Sequence, residues 1–272
     1  MIERLSLLLF TPTYANGLRP ETVASIVGQQ TRHWLTWKIG RLNPYPGRDM
    51  RNVLAQYNYA RDLCLSGPYD ALLTVEHDMV IPPDAVDKLV ATPAPVVYGA
   101  YLLRHDGVLN AWQYIGPQGM GMSLDRYPDE LGRYQKEGVG RVSGVGFGCT
   151  LIRRQVLERV PFRADSANHA PDMPFAFDCN RLGLTQLARF DVKCGHWHEG
   201  TIMEIGQHGP TVTVKVLQSV NVLVNGSGVA LYEGTKVELP TEQAQQLAGL
   251  GYVELAGEAQ APAVPKRARK SA

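Results

Sequence analysis

The chain has 272 residues, 44% of them hydrophobic and 19% charged, with 27 Lys and Arg against 26 Asp and Glu. A formal net charge of +1 gives no global reason to expect nucleic-acid or membrane binding. The length suits one sizeable core, or a main domain with an appendage. Cys64, Cys149, Cys179 and Cys194 form no C-x-x-C pair, which argues against a disulfide framework or zinc ribbon and for a reducing cytoplasm.

The opening "MIERLSLLLF" is too short to span a bilayer and runs into "TPTYANG" without a small-residue cleavage site. It reads as a buried strand ending in a polar turn, not a signal peptide. "PETVASIVGQQ" predicts a helix with Pro20 and Glu21 in its first turn, and "WLTWKIGRLN" predicts a second strand. In "RNVLAQYNYARDLCL", Val53, Tyr57, Ala60 and Cys64 share one face at helical spacing. A strand "YDALLTVE" and a helix "PPDAVDKLVA" follow, with Pro82 and Pro83 at the helix start and Asp84 at its positive end. "APVVYGAYLLR" is another apolar strand. Residues 106–140, rich in glycine and tyrosine, predict loops or a long hairpin. "RVSGVGFGCTLIRR", the helix "RQVLERV" and a final strand "RFDVKCGHWHE" resume the alternation. Such alternation predicts an α/β architecture with a mostly parallel sheet.

Composition shifts near Gly206. "TVTVKVL", "VNVLV" and "VALYEGTKVEL" alternate with period two around "NGSG", which is hairpin chemistry. "PTEQAQQLAGLG" predicts a short helix with Thr241 as N-cap and Gly251 as C-cap. The expected organisation is a main domain over residues 1–206, a small β-rich module over 207–256 and a disordered basic tail over 257–272.

Glu76, His77 and Asp78 stop the apolar run "ALLTV" at what should be the carboxyl end of a strand, where open α/β sheets bind ligands. Spaced two apart in an extended segment, Glu76 and Asp78 point the same way and can hold a hard divalent cation, while His77 points away. The plainer alternative makes Asp78 a cap for the next helix and Glu76 a solvated strand end.

The segment from that strand through "EHDMVIPPDAVDKL" resembles the DxD segment of GT-A fold glycosyltransferases, particularly family-2-like enzymes found in phages and prophages. "LFTPTYANGLRPETVASIVGQQ", "NYARDLCLSGPYDALLTVEHD", "VSGVGFGCTLIRRQVLERV" and "APDMPFAFDCNRLGLTQLARFDVKCGHWHE" resemble further stretches of that family in the same order. The first acidic position departs from it, being Glu76 where the family usually has Asp.

The resemblance implies a metal-dependent transferase of the hexosyl type. It would use a nucleotide-diphosphate sugar, UDP-sugar favoured, with Mn²⁺ or Mg²⁺ at Asp78, His196 and Glu76. His198, two residues beyond His196, is the alternative imidazole. Thr11, Pro12, Thr13 and Tyr14 would cradle the nucleoside and Arg61 the diphosphate, with Glu76, His77 and Asp78 completing the donor contacts. Asp172 would be the base of an inverting reaction; Asp178, flanked by Phe175 and Phe177, is either the alternative base or a charge on a solvated face.

Gly144, Gly146 and Gly148 in "GVGFGC" lack a full dinucleotide fingerprint and precede a strand, so close backbone approach or a β-bulge explains them better. Trp112 and Tyr114 suit either stacking on a ligand or anchoring a loop. The acceptor, whether modified DNA, protein or glycan, is not legible; the C-terminal module suits acceptor recognition or self-association, and no membrane contact is expected. Two other functions compete: a nucleotidyltransferase, and a non-catalytic phage particle or surface-binding protein.

Overall fold

β1 (Ser6–Pro12) is buried on both faces from Leu7 onward, as its unbroken apolar sequence requires of a central strand. The computed structural model describes residues 4–13, 17–47, 49–103, 108–115, 120–124, 138–164, 170–198, 200–205, 211–224 and 227–255. The chain divides into two compact units, Met1–Gly206 and Gln207–Ala272.

In the first unit β1 is followed by α1 (Pro20–Val27), β2 (Trp34–Gly40), α2 (Met50–Ser66), β3 (Ala71–Val75), β4 (Met79–Val80), α3 (Ala85–Ala91) and β5 (Val96–Ala100). The hairpin of β6 (Ala111–Ile115) and β7 (Met120–Ser123) comes next, then β8 (Val139–Arg141) and β9 (Gly144–Val145). β10 (Cys149–Arg153), α4 (Arg154–Arg159), α5 (Asp172–Arg181), β11 (Gln186–Lys193), β12 (Gly195–His198) and β13 (Thr201–Met203) complete it.

The main sheet has seven strands in the order β2-β1-β3-β10-β5-β11-β8. Pairings β1–β2, β1–β3 and β5–β11 are parallel, while β10 runs antiparallel to both its neighbours and β8 antiparallel to β11. The fold is therefore the expected α/β class with a mostly parallel sheet. Because β2 and β3 lie on opposite sides of β1, strand order reverses at β1, and the carboxyl ends of β1 and β3 mark the switch point where open α/β sheets bind ligands. A second sheet, β13-β12-β4, returns the end of the unit to the turn after β3, pairing His196 with Met79 and Gly195 with Val80.

α2 buries Asn52, Val53, Gln56, Tyr57, Ala60 and Cys64, the face that its spacing predicts with two amides added. Asp49 caps it by accepting from Arg51 N–H at 2.9 Å. α3 begins at Ala85, later than its two prolines suggest, because Pro82 O closes a turn onto Ala85 N–H at 3.0 Å before the helix starts. Of residues 106–140, the hairpin β6–β7 is described, and Trp112 is buried there as a loop anchor. The side chain of Tyr114 lies outside the described residues.

The second unit contains β14 (Thr211–Val216), β15 (Val220–Val224), β16 (Ser227–Leu231), β17 (Lys236–Pro240), α6 (Thr241–Gly249) and β18 (Val253–Leu255). Its sheets are β17-β14-β18 and the hairpin β15-β16. Val214, Val216, Leu231, Leu239, Ala244, Leu247 and Val253 form its own buried cluster. α6 ends in a Schellman motif: Gly251 has φ +78°, Tyr252 N–H donates to Leu247 O at 2.9 Å and Gly251 N–H to Ala248 O at 3.0 Å. Thr241 is the first residue of α6, and its side chain and the tail beyond residue 255 lie outside the described residues. No described helix is long and apolar enough to cross a membrane.

Candidate functional site

The turn after β3 dictates the site. Met79 N–H donates to Glu76 O at 3.1 Å, so residues 76–79 form a tight turn in place of the extended geometry expected from spacing. The two carboxylates consequently have different neighbours. Glu76 accepts from the Tyr57 hydroxyl of α2 at 3.0 Å. Asp78, 3% exposed, has its Oδ2 at 3.9 Å from His196 Nε2 and 3.8 Å from His77 Nε2. His77 thus turns towards Asp78, not away from it as an extended strand would have placed it.

His196 is brought there by the β12–β4 pairing. Its Nδ1 lies 2.7 Å from Leu102 O, so Nδ1 carries the proton and donates, leaving the Nε2 lone pair facing Asp78. The Tyr101 ring meets the imidazole edge-on at a centroid distance of 5.4 Å. A backbone carbonyl on one ring nitrogen, with the other nitrogen left for a cation, is the usual support of a metal-binding histidine. His198, two residues on, is half-buried, and its carbonyl accepts from the Thr201 hydroxyl at 3.0 Å.

Among the described residues no group of three or more His, Cys, Asp and Glu side chains is arranged to hold a metal. The Asp78–His196 pair nevertheless supplies one carboxylate oxygen and one imidazole nitrogen. That set fits a Mg²⁺ or Mn²⁺ ion whose remaining ligands are substrate phosphates and water.

Asp172 opens α5, where the positive end of the helix favours negative charge, and its Oδ1 accepts from Met173 N–H at 2.8 Å. Two tyrosines relate it to the acidic turn. Burial first, then the charge of Glu76, push the Tyr57 and Tyr101 hydroxyls well above their usual pKa, and Asp172 adds to the rise in both. Asp78 contributes further at Tyr101. Glu76 and Asp172 thus both act on this pair of buried phenols, and Asp78 on Tyr101. Asp178, the alternative base, is also buried, not on a solvated face. Arg163 grips it with Nε to Oδ2 at 2.6 Å and Nη2 to Oδ1 at 3.1 Å, which makes it a brace of α5.

The end of β1 is held by amides that sequence reasoning counted only as helix positions. Gln56 Nε2 donates to Thr13 O at 2.9 Å and its Oε1 accepts from Thr13 N–H at 2.8 Å, imitating a strand partner. Asn52 does the same for Tyr45, with both bonds at 2.8 Å. The signal was present: two buried amides one turn apart on an apolar helix face have to be satisfied by backbone. Thr11 is buried and accepts from Trp37 Nε1 at 3.1 Å, and Pro12 ends the strand opposite Gly40. Tyr14 lies outside the described residues. Arg61 is not brought to the carboxylates: its Nε donates to Leu157 O at 2.8 Å, tying α2 to α4.

The glycine run faces protein, not open crevice. A Cβ on Gly144 would sit 2.6 Å from Trp112 Nε1 and Ala176 Cβ, and one on Gly146 would overlap the Tyr101 hydroxyl and Asn110 amide. Close backbone approach is thus the right reading of "GVGFGC", with Tyr101 and Trp112 as the approaching groups.

A mixed sheet with an acidic turn at its topological switch point defines a GT-A-like domain. Solved structures agree with that assignment. The chain is similar to A197 from STIV, with a TM-score of 0.51 and 20% identity over 75% of this chain and 96% of that one. It is also similar to GalNAc-T7, solved with UDP, GalNAc and Mn²⁺, with a TM-score of 0.50 and 12% identity over 74% of this chain and 45% of that one. At such identities the likeness establishes the fold alone. No protein-family model matches the chain, and no curated protein does.

Proposed function

We propose that the chain is a metal-dependent glycosyltransferase that moves a sugar from a nucleotide-diphosphate sugar to an acceptor hydroxyl. The observation that carries this reading is the meeting of Asp78 with the oriented His196 at the carboxyl end of β3. Asp172 lies close enough to add its charge to the same buried tyrosines. The GT-A-like fold supports the reading, and UDP and Mn²⁺ in the GalNAc-T7 structure support a UDP-sugar as first choice of donor.

Asp78 and His196 would hold the divalent cation, with Glu76 and His77 beside them. When bound, the cation supplies Lewis-acid stabilisation of the departing diphosphate. Asp172 takes the proton of the acceptor hydroxyl as that oxygen bonds to the anomeric carbon. The bond from that carbon to the diphosphate oxygen breaks with its electron pair going to oxygen, inverting the centre. Thr11, Pro12 and Thr13, at and just beyond the end of β1, would receive the nucleoside, together with Tyr14.

The test is turnover of UDP-, GDP-, ADP- and dTDP-sugars with Mn²⁺, followed as nucleotide release. Wild-type protein is expected to turn over one donor, and Asp78→Ala to lose about a hundredfold or more of that rate. Absence of any turnover, or an unchanged rate in Asp78→Ala, overturns the reading.

A further inference from the structure

A second constellation stands beside the acidic turn. Arg19, just before α1, donates its backbone N–H to His77 O at 3.1 Å, and the Thr22 hydroxyl donates to the same carbonyl at 3.0 Å. The Arg19 guanidinium carbon lies 3.5 Å from the centroid of the Trp197 ring. Trp197, next to His196 in β12, donates its backbone N–H to Asp78 O at 2.8 Å. Both halves of the stack are therefore fastened to consecutive carbonyls of the turn that carries the candidate cation ligand.

Several arginines of the first unit are committed to protein partners, and Arg19 is not among them; Arg4, stacked on Trp34 at 3.6 Å, shares its geometry but not its place beside the acidic turn. Arg61 donates to Leu157 O, Arg153 to Val90 O, and Arg163 and Arg189 each grip an aspartate. Among the described residues the Arg19 side chain has no hydrogen-bond or ion-pair partner. A guanidinium stacked by its face keeps its N–H edge in plane and available, the geometry that takes two oxygens of a phosphate at once. The aromatic platform fixes the group in advance, so little freedom is lost when an anion arrives.

We propose that Arg19, held by Trp197, is the arginine that binds the diphosphate of the donor nucleotide, a proposal that rests on the transferase reading of the Asp78 turn. Arg61 is committed to α4 and does not supply that charge. Arg19 supplies it from the β1–α1 connection, beside the turn after β3 to which its own backbone N–H is bonded. Its fork offsets the charge left on the departing nucleoside diphosphate.

The experiment compares wild type, Arg19→Gln and Arg19→Lys as full-length chains with Mn²⁺. Nucleoside diphosphates (UDP, GDP, ADP and dTDP) are titrated calorimetrically, and the nucleoside of the tightest binder by ligand-observed NMR. Arg19→Gln is expected to weaken diphosphate binding about tenfold or more while nucleoside binding stays as in wild type. Arg19→Lys, which keeps the charge without the fork, should fall between. Unchanged diphosphate affinity in a folded Arg19→Gln protein overturns this proposal and leaves the transferase reading standing. Equal loss for diphosphate and nucleoside also overturns it, since Arg19 would then support only the shape of the loop. If wild type binds none of the four diphosphates, the transferase reading itself falls, and this proposal with it.

Discussion

At Glu76 the chain carries one methylene more than the aspartate usual in the enzymes it resembles, and the structure gives that methylene a use. The longer side chain reaches the Tyr57 hydroxyl at 3.0 Å. Tyr57 is fully buried and packs edge-on against Phe147 at 5.0 Å, with Phe162 tilted against it at 5.6 Å. Phe147 and Phe162 in turn pack on Phe175 of α5, so one aromatic group connects the acidic turn to the helix that Asp172 opens. Shortening Glu76 to Asp should break the phenol bond and cost about 1 kcal/mol, read from the urea midpoint. Tyr57→Phe should cost a similar amount alone and almost nothing further in the Glu76→Asp background, because both changes delete one interaction. Additive losses would show that the bond contributes nothing to stability.

Elements explain which parts of the fold were legible. β1, β3 and β5 announce themselves as apolar runs because both faces of each are buried. The direction of β10 was not legible, since side-chain periodicity encodes burial and says nothing of which way a strand runs. The Glu-His-Asp triplet was equally silent: three polar residues after a strand suit an extended end or a turn, and the bond from Met79 N–H to Glu76 O decides. Asp178 looked like a surface charge because its partner Arg163 lies outside the helix pattern. Asp78 was legible from its place and spacing at a strand end, but His196 as its partner came only through a family resemblance, because β12 reaches β4 by tertiary pairing.

His33 likewise acts between elements. Its side chain is fully buried just before β2; its Nδ1 accepts from Leu5 N–H at 3.1 Å, and its Nε2 stands 3.8 Å from Asp87 Oδ1 in α3. Burial lowers its pKa below the ordinary value of about 6.5, and nearby Arg32, Arg153 and Arg4 add to this against the opposing pull of Asp87. The unfolded chain thus binds the proton more readily than the folded one. The neutral ring's contribution is complete above about pH 6.5 and is lost as pH falls through the lower, folded value. The melting temperature should fall between pH 7 and pH 5, and His33→Gln should flatten that part of the curve. An equally steep curve in the variant would place the titration elsewhere.

On the scale of the whole chain, the two units contain separate buried clusters, and the larger alone contains every described candidate residue of the site. Its core is continuous across the sheet, from Leu7 in β1 through Leu73 and Val97 to Phe190 in β11. Among its described residues the smaller unit buries seven hydrophobics, including the alternating Val214 and Val216 that its period-two sequence foretold. A cluster of that size is marginal for independent folding, since a short chain removes too little of its apolar surface from water. A fragment of residues 1–206 should therefore melt cooperatively and bind nucleoside diphosphate with the affinity of the full chain. Residues 207–272 alone should give no sharp calorimetric transition. If the 1–206 fragment folds but binds diphosphate ten times more weakly, the C-terminal unit takes part in the donor site. If it fails to fold, the boundary at Gly206 divides one cooperative structure, not two.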